Sequence, residues 1–286
     1  MEWFRIPQQK VSAYIGIFLS AYLIYLGLSI HVNENHWLNR LDFIFYDTRF
    51  NASLAFSETE LSRYFVPFEE NSSAEAEHKI VILDIDEKSL AQEGRWPWSR
   101  HKLAKLVAEL ADYGAIVVAF DVVFSEPERN PVNEVNRHLE NYDIDWKIPQ
   151  RWHEIADGDK NFSRHISDMD VVLGYFFQDE VEIQVGQLPS QSYELSNEQK
   201  NNLVSITKPG YAANLAILQQ AAAGAGFVST FADADGVIRR SPLVIRYGDK
   251  LYPSLSLATV MSYLFVSEIE ISTLPLGSIE VMTAIK

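Results

Sequence analysis

Residues Val11 to Ile30 (VSAYIGIFLSAYLIYLGLSI) form one apolar run of 20 residues with no charge, no Pro, no Asn and no Gln. An α-helix rises about 1.5 Å per residue, so this run reaches about 30 Å, the thickness of a bilayer's hydrocarbon core. A helix in a water-soluble core keeps a polar stripe, and this one has none. Tyr14, Tyr22 and Tyr25 are amphipathic, and Trp3 and Trp37 lie just outside the run, where interfacial aromatics belong. A cleavable leader is shorter, with about 7 to 15 apolar residues and an A-x-A-like end. The run therefore reads as an uncleaved transmembrane helix. Arg5 and Lys10 precede it against the single acid Glu2, which keeps residues 1–10 cytoplasmic; Arg40 and Arg49 on the far flank soften that asymmetry. Everything beyond the run is then outside the cytoplasm.

That outer part is acidic. The whole chain carries 24 Lys and Arg against 39 Asp and Glu, a net charge of −15. Nucleic acid is excluded as a partner, because its phosphates need a basic surface. Broad adhesion to anionic lipid is excluded for the same reason, and solubility accounts for most of the acid. There is no cysteine, so no disulfide and no thiol nucleophile.

Residues 31–79 read as a membrane-proximal helix and linker: Trp37, Leu41, Ile44 and Phe45 recur at helical spacing, and Glu69–Lys79 is polar. Residues 80–286 read as one α/β domain, a mostly parallel sheet with flanking helices plus a β-hairpin. Lys79–Ile85 (KIVILDI) is a strand-length apolar run. Ser99 is placed to cap a helix carrying Leu103, Leu106, Val107 and Leu110, closed by Gly114. Ala115–Phe124 (AIVVAFDVVF) is a second strand, which makes a βαβ unit of parallel strands buried on both faces. A short helix over Asp159–Ser167 leads to a third strand, Asp170–Phe177, and Ala212–Ala223 is helical. Gly226–Tyr247 alternates around Asp235-Gly236 as a hairpin, with a further turn at Gly248-Asp249. Pro253–Val266 is a core helix, too short for a second span.

Three places invite chemistry. Asp84, Asp86 and Asp121 stand at the carboxyl ends of the first two expected strands, where open α/β sheets collect ligands. They would cap the following turns, contact a ligand or ion, or serve a metal-dependent hydrolase. The heptad Gly94–Arg100 sets Trp96 and Trp98 about a proline with Arg95 and Arg100 beside them. It is a ligand or partner surface, or an internal plug in which Arg100 pairs with a strand-end Asp. Asp233 and Asp235 resemble half a calcium loop, but Val237 stands at the fifth position where an acid is needed, so a turn explains them better. The seven His are scattered, and no G-x-S-x-G elbow or phosphate-cradling glycine loop occurs. No metal, cofactor or catalytic residue is assigned.

Taken in order, Leu41–Phe50 (LDFIFYDTRF), Val81–Leu90 (VILDIDEKSL), Gly94–Arg100 (GRWPWSR), Gly114–Pro127 (GAIVVAFDVVFSEP), Gly226–Ser229 (GFVS), Asp233–Leu243 (DADGVIRRSPL) and Tyr252–Ala258 (YPSLSLA) resemble the CHASE2 domain from about Leu41 to Val266. The resemblance implies an extracytoplasmic sensory domain of a bacterial signalling receptor at the inner membrane, answering a small-molecule or protein signal. It also implies further membrane helices and an output module: an adenylate or guanylate cyclase, a histidine kinase, a Ser/Thr kinase or a diguanylate cyclase. On that pattern residues 80–286 are expected to be truncated at their C-terminus, and this chain itself is not an enzyme. The other readings are a membrane-tethered hydrolase and a scaffold that spaces or dimerises partner chains, a homodimer included.

Overall fold

A computed structural model of the chain describes residues 20, 22, 36–57, 80–142, 146 and 148–285. The expected cytoplasmic residues 1–10, the membrane helix Val11–Ile30 and the linker Glu69–Lys79 lie outside the described residues, save Ser20 and Tyr22, which are helical. Among the described residues no helix is long and apolar enough to cross a membrane. The chain divides into two compact units, Met1–Ile82 and Leu83–Lys286.

In the first unit the helical spacing of Trp37, Leu41, Ile44 and Phe45 produces helix α1, His36–Ser57. Leu41, Ile44, Phe45 and Phe50 along it are exposed.

The second unit is a mixed α/β fold. Asp86 caps α2 (Glu87–Glu93), and Ser99 caps α3 (Arg100–Asp112) by accepting from the Lys102 N–H. Strand β1 (Val117–Phe120) is followed by α4 (Pro131–Asn141), α5 (Gln150–Ile155), α6 (Gly158–Ser167) and β2 (Asp170–Gln178). Then come β3 (Gln184–Val185), β4 (Tyr193–Glu194), α7 (Asn197–Asn202), β5 (Leu203–Val204), β6 (Gly210–Ala212), α8 (Ala216–Ala221) and β7 (Gly224–Phe227). Strands β8 (Val244–Tyr247) and β9 (Lys250–Pro253), helix α9 (Leu255–Tyr263), and strands β10 (Ile271–Leu276) and β11 (Ile279–Ile285) complete the unit.

Strand β2 is the axis of the fold. Its residues pair in parallel with β1 on one side (Val117↔Asp170 to Phe120↔Leu173) and with β7 on the other (Val172↔Gly224 to Tyr175↔Phe227). The run DVVLGYFF suits that place, because a strand flanked on both edges and covered on both faces has no use for polar residues. Val171, Val172, Leu173 and Tyr175 are fully buried. Its last residues pair antiparallel with β6, which β3 joins in parallel. Helix α9 packs over β1, β2 and β7, and α3 packs on α6. The helical stripe of α3 (Leu103, Ala104, Val107) and Phe162 and Ile166 of α6 enter one core cluster with β1, β2 and β7. Within it Phe120, Phe124 and Phe162 meet edge to face at 5.3 to 5.9 Å. Two smaller three-stranded sheets, β4-β9-β8 and β10-β11-β5, complete the unit.

Four expectations need correction. Residues 80–85 are not a strand: Ile80 is 93% exposed and Ile82 89%, and their backbone joins no described ladder. An apolar run becomes a strand only when a neighbouring edge takes its N–H and C=O groups. The parallel crossovers are therefore β1–α6–β2 and β2–α8–β7, not one opening at residue 79. The second strand is also shorter than Ala115–Phe124. At Phe124 the N–H goes to the Asn214 side chain (2.8 Å), and the Phe124 carbonyl accepts from the Leu215 N–H, so the chain leaves the sheet after Phe120. Asp235-Gly236 makes a tight turn without flanking strands. The hairpin forms one turn later, β8 to β9 about Gly248-Asp249. Helix α8 keeps only the middle of Ala212–Ala223, because Gly210–Ala212 is taken by β6.

Candidate functional site

Asp84, Asp86 and Asp121 do not converge. Asp86 is the N-cap of α2, accepting from the Ser89 N–H at 2.8 Å and the Ser89 hydroxyl at 2.6 Å. Those two bonds hold its carboxyl below the usual carboxylate range. Asp84 and Asp121 are exposed. No group of three or more His, Cys, Asp or Glu among the described residues is arranged to hold a metal ion.

In the heptad Gly94–Arg100, Trp96, Trp98 and Arg100 turn inward. Trp96 and Trp98 meet edge to face at 5.8 Å, and both are partly buried against the main core. The Trp98 indole N–H donates to the Gly94 carbonyl at 2.8 Å, and the Lys102 ammonium stands 5.1 Å over the Trp98 ring. Arg95 is exposed. Arg100 turns into the fold, with its guanidinium 4.4 Å over the Phe124 ring, its Nε 3.1 Å from Asp159 Oδ1 and its Nη2 donating to the Glu126 carbonyl at 3.3 Å. The partner is thus Asp159, in the first turn of α6, and not a strand-end Asp. Glu128 closes the ring: its Oε1 accepts from the Arg100 N–H and its own N–H donates to Asp159 Oδ2, both at 2.9 Å. The starts of α3 and α6, each positive by virtue of unpaired N–H groups, share two carboxylates and one guanidinium. A Cβ at Gly158 would overlap the Glu128 carboxylate, so the glycine leaves Glu128 its place against the Arg100 N–H.

Asp233 and Asp235 are brought together by Arg239. Its Nη1 lies 3.1 Å from Asp233 Oδ2 and its Nη2 lies 2.8 Å from Asp235 Oδ2. The Arg239 hydrogen bonds lower the Asp235 pKa to about 2. These bonds close a turn over its own arginine.

A cleft of about 340 Å³ opens at the amino end of β7, where Gln187, Gln191, Gln219 and Gln220 converge with Ser190 and Gly224. Gln219 is 7% exposed, and its Oε1 is buried without a hydrogen-bond partner.

Residues 18–285 match the CHASE2 domain. The chain belongs to the CHASE2 family. CHASE2 domains are extracytoplasmic, sensory and non-catalytic parts of bacterial signalling receptors. Comparison with curated proteins gave no match, and comparison with solved structures gave none.

For a CHASE2 domain the informative question is where a signal is received. Sequence reading named Arg100 but missed Glu128 and Asp159, although Gly158-Asp159 at the head of a helix signals an acidic N-terminus. It passed over the glutamines altogether. Gln219 and Gln220, adjacent in the Ala-rich segment Ala212–Ala223, were the available clue, two neighbouring amides among apolar residues.

Proposed function

We propose that this CHASE2 chain is the signal-input domain of a receptor in the bacterial inner membrane, with Val11–Ile30 as its anchoring helix and residues 31–286 outside the cytoplasm. The observation that carries the reading is the family match, which covers residues 18–285 and begins inside the apolar run. The flanking Arg5 and Lys10 support the orientation. The signal is a small molecule or a protein ligand. The receiving output module is of the kind the family resemblance implies, a cyclase, a histidine or Ser/Thr kinase, or a diguanylate cyclase. The chain itself does no covalent chemistry. A hydrolase centred on Asp84, Asp86 and Asp121 has little support, since Asp86 is engaged as a helix cap. Deleting residues 80–266 from the membrane-bound receptor tests the reading. Output should stop responding to growth conditions, and output that responds as before contradicts it.

A further inference from the structure

The cleft at the amino end of β7 is lined by Gln187, Ser190, Gln191, Gln219, Gln220 and Gly224 with neighbouring Pro and Ala, and no ionisable side chain reaches its walls. Its recognition groups are amides. Gln191 donates its Nε2 to the Ala223 carbonyl at 2.9 Å, which fixes the amide's orientation and sets its Oε1 beside Gly224. Gly224 makes room for that oxygen, because a Cβ there would lie 2.7 Å from it. Gln220 Nε2 donates to Gln187 Oε1 at 3.2 Å. Whichever way that amide pair is turned, it retains one carbonyl oxygen and three N–H groups for another partner. Gln219 lines the same wall with a side chain that is 7% exposed, and its Oε1 is buried without a hydrogen-bond partner.

We infer that this cleft binds a small uncharged polyhydroxy compound, a sugar or sugar alcohol, through the amides of Gln187, Gln191, Gln219 and Gln220. Every glutamine of the walls is a neutral amide that offers both N–H donors and a carbonyl acceptor, which calls for a ligand whose groups donate and accept together, as hydroxyls do. A charged ligand would lose its hydration to walls that offer no counter-charge. An anion would also meet a chain of net charge −15. No aromatic ring lines the cleft, which removes the stacking platform a nucleobase needs. The volume of about 340 Å³ sits at the small end of ligand pockets. The inference deepens the sensory reading by naming the ligand class, and rests on that reading only for the consequence of binding.

The test is a thermal-shift titration of the full chain in detergent micelles with glucose, mannitol and myo-inositol, set against gluconate and KCl. At least one polyol should raise the melting temperature saturably, and gluconate and KCl should not. Gln219→Leu and Gln191→Leu should each weaken that binding about tenfold, the loss expected for one ligand hydrogen bond. Gly224→Ala, which crowds Gln191, serves if either variant fails to fold. No saturable shift from any of the three polyols overturns the inference. So does equal binding of gluconate or KCl, or binding undiminished in the glutamine variants. Binding is read on the isolated chain, so its failure is separate from failure of the receptor-output test.

Discussion

The Arg100 ring and the glutamine cleft are both polar regions set against the same α/β core, and they differ in how their groups are satisfied. At Arg100 the named charges find one another: the guanidinium has Asp159, the Glu126 carbonyl and the Phe124 ring, and Glu128 ties in the α3 backbone. At the cleft, Gln219 Oε1 is buried with no partner. A partly buried charge left alone costs far more than a neutral amide left alone, so charges are paired inside the fold and amides can wait for a ligand. Arg100, Asp86, Asp233 and Asp235, conspicuous in the sequence, are therefore engaged by the fold itself, while Asp84, Arg95 and Asp121 stay exposed.

Arg100→Ala attacks the satisfied side of that contrast most severely. With side chains 11% and 13% exposed, the Arg100–Asp159 pair is mostly out of water, and its loss leaves carboxylates uncompensated. Denaturant unfolding should show a loss of about 3 kcal/mol. Gly158→Ala should cost less, about 1 to 2 kcal/mol, by displacing Glu128 from the Arg100 N–H without removing a charge. Gln219→Leu should move the other way, raising unliganded stability by about 1 kcal/mol, because it removes a buried carbonyl that nothing satisfies. A destabilisation there would place Gln219 with the satisfied groups and erase the contrast.

The smallest effect is confined to acid. Asp235 has its folded pKa lowered from 3.8 to about 2 by Arg239, so its contribution is complete above about pH 4 and is lost as pH falls toward 2. Asp235→Asn should flatten that part of the stability profile and leave the profile at pH 7 without further slope.

How much of this was legible depended on whether the information was local. Helix α3 was readable from Ser99 and its apolar stripe, and β2 from its unbroken run, because cap chemistry and two-faced burial leave marks in a few consecutive residues. Residues 80–85 carry the same mark as β2, yet strand formation depends on a partner edge that the run itself does not specify. Strands such as Gln184–Val185 and Leu203–Val204 are two residues long, shorter than any periodicity. The hairpin β10–β11 was missed, since Ile271–Ile285 alternates only weakly and breaks register between Ser272 and Thr273. For the sites, Arg100 was named with the wrong acid because Asp159 is 59 residues away. The cleft was invisible because its glutamines come from two segments some 30 residues apart that only the β7 end joins.

Under the proposed function, the apolar run Val11–Ile30 anchors this sensory domain outside the cytoplasm. Alkaline phosphatase, which is active only outside the cytoplasm, can be fused after Ile285 and compared with the same fusion lacking residues 11–30. Phosphatase activity is expected in the membrane pellet with the run present, and neither activity nor membrane association without it. An inactive fusion with residues 11–30 intact, or an active one released into the soluble fraction, would contradict it.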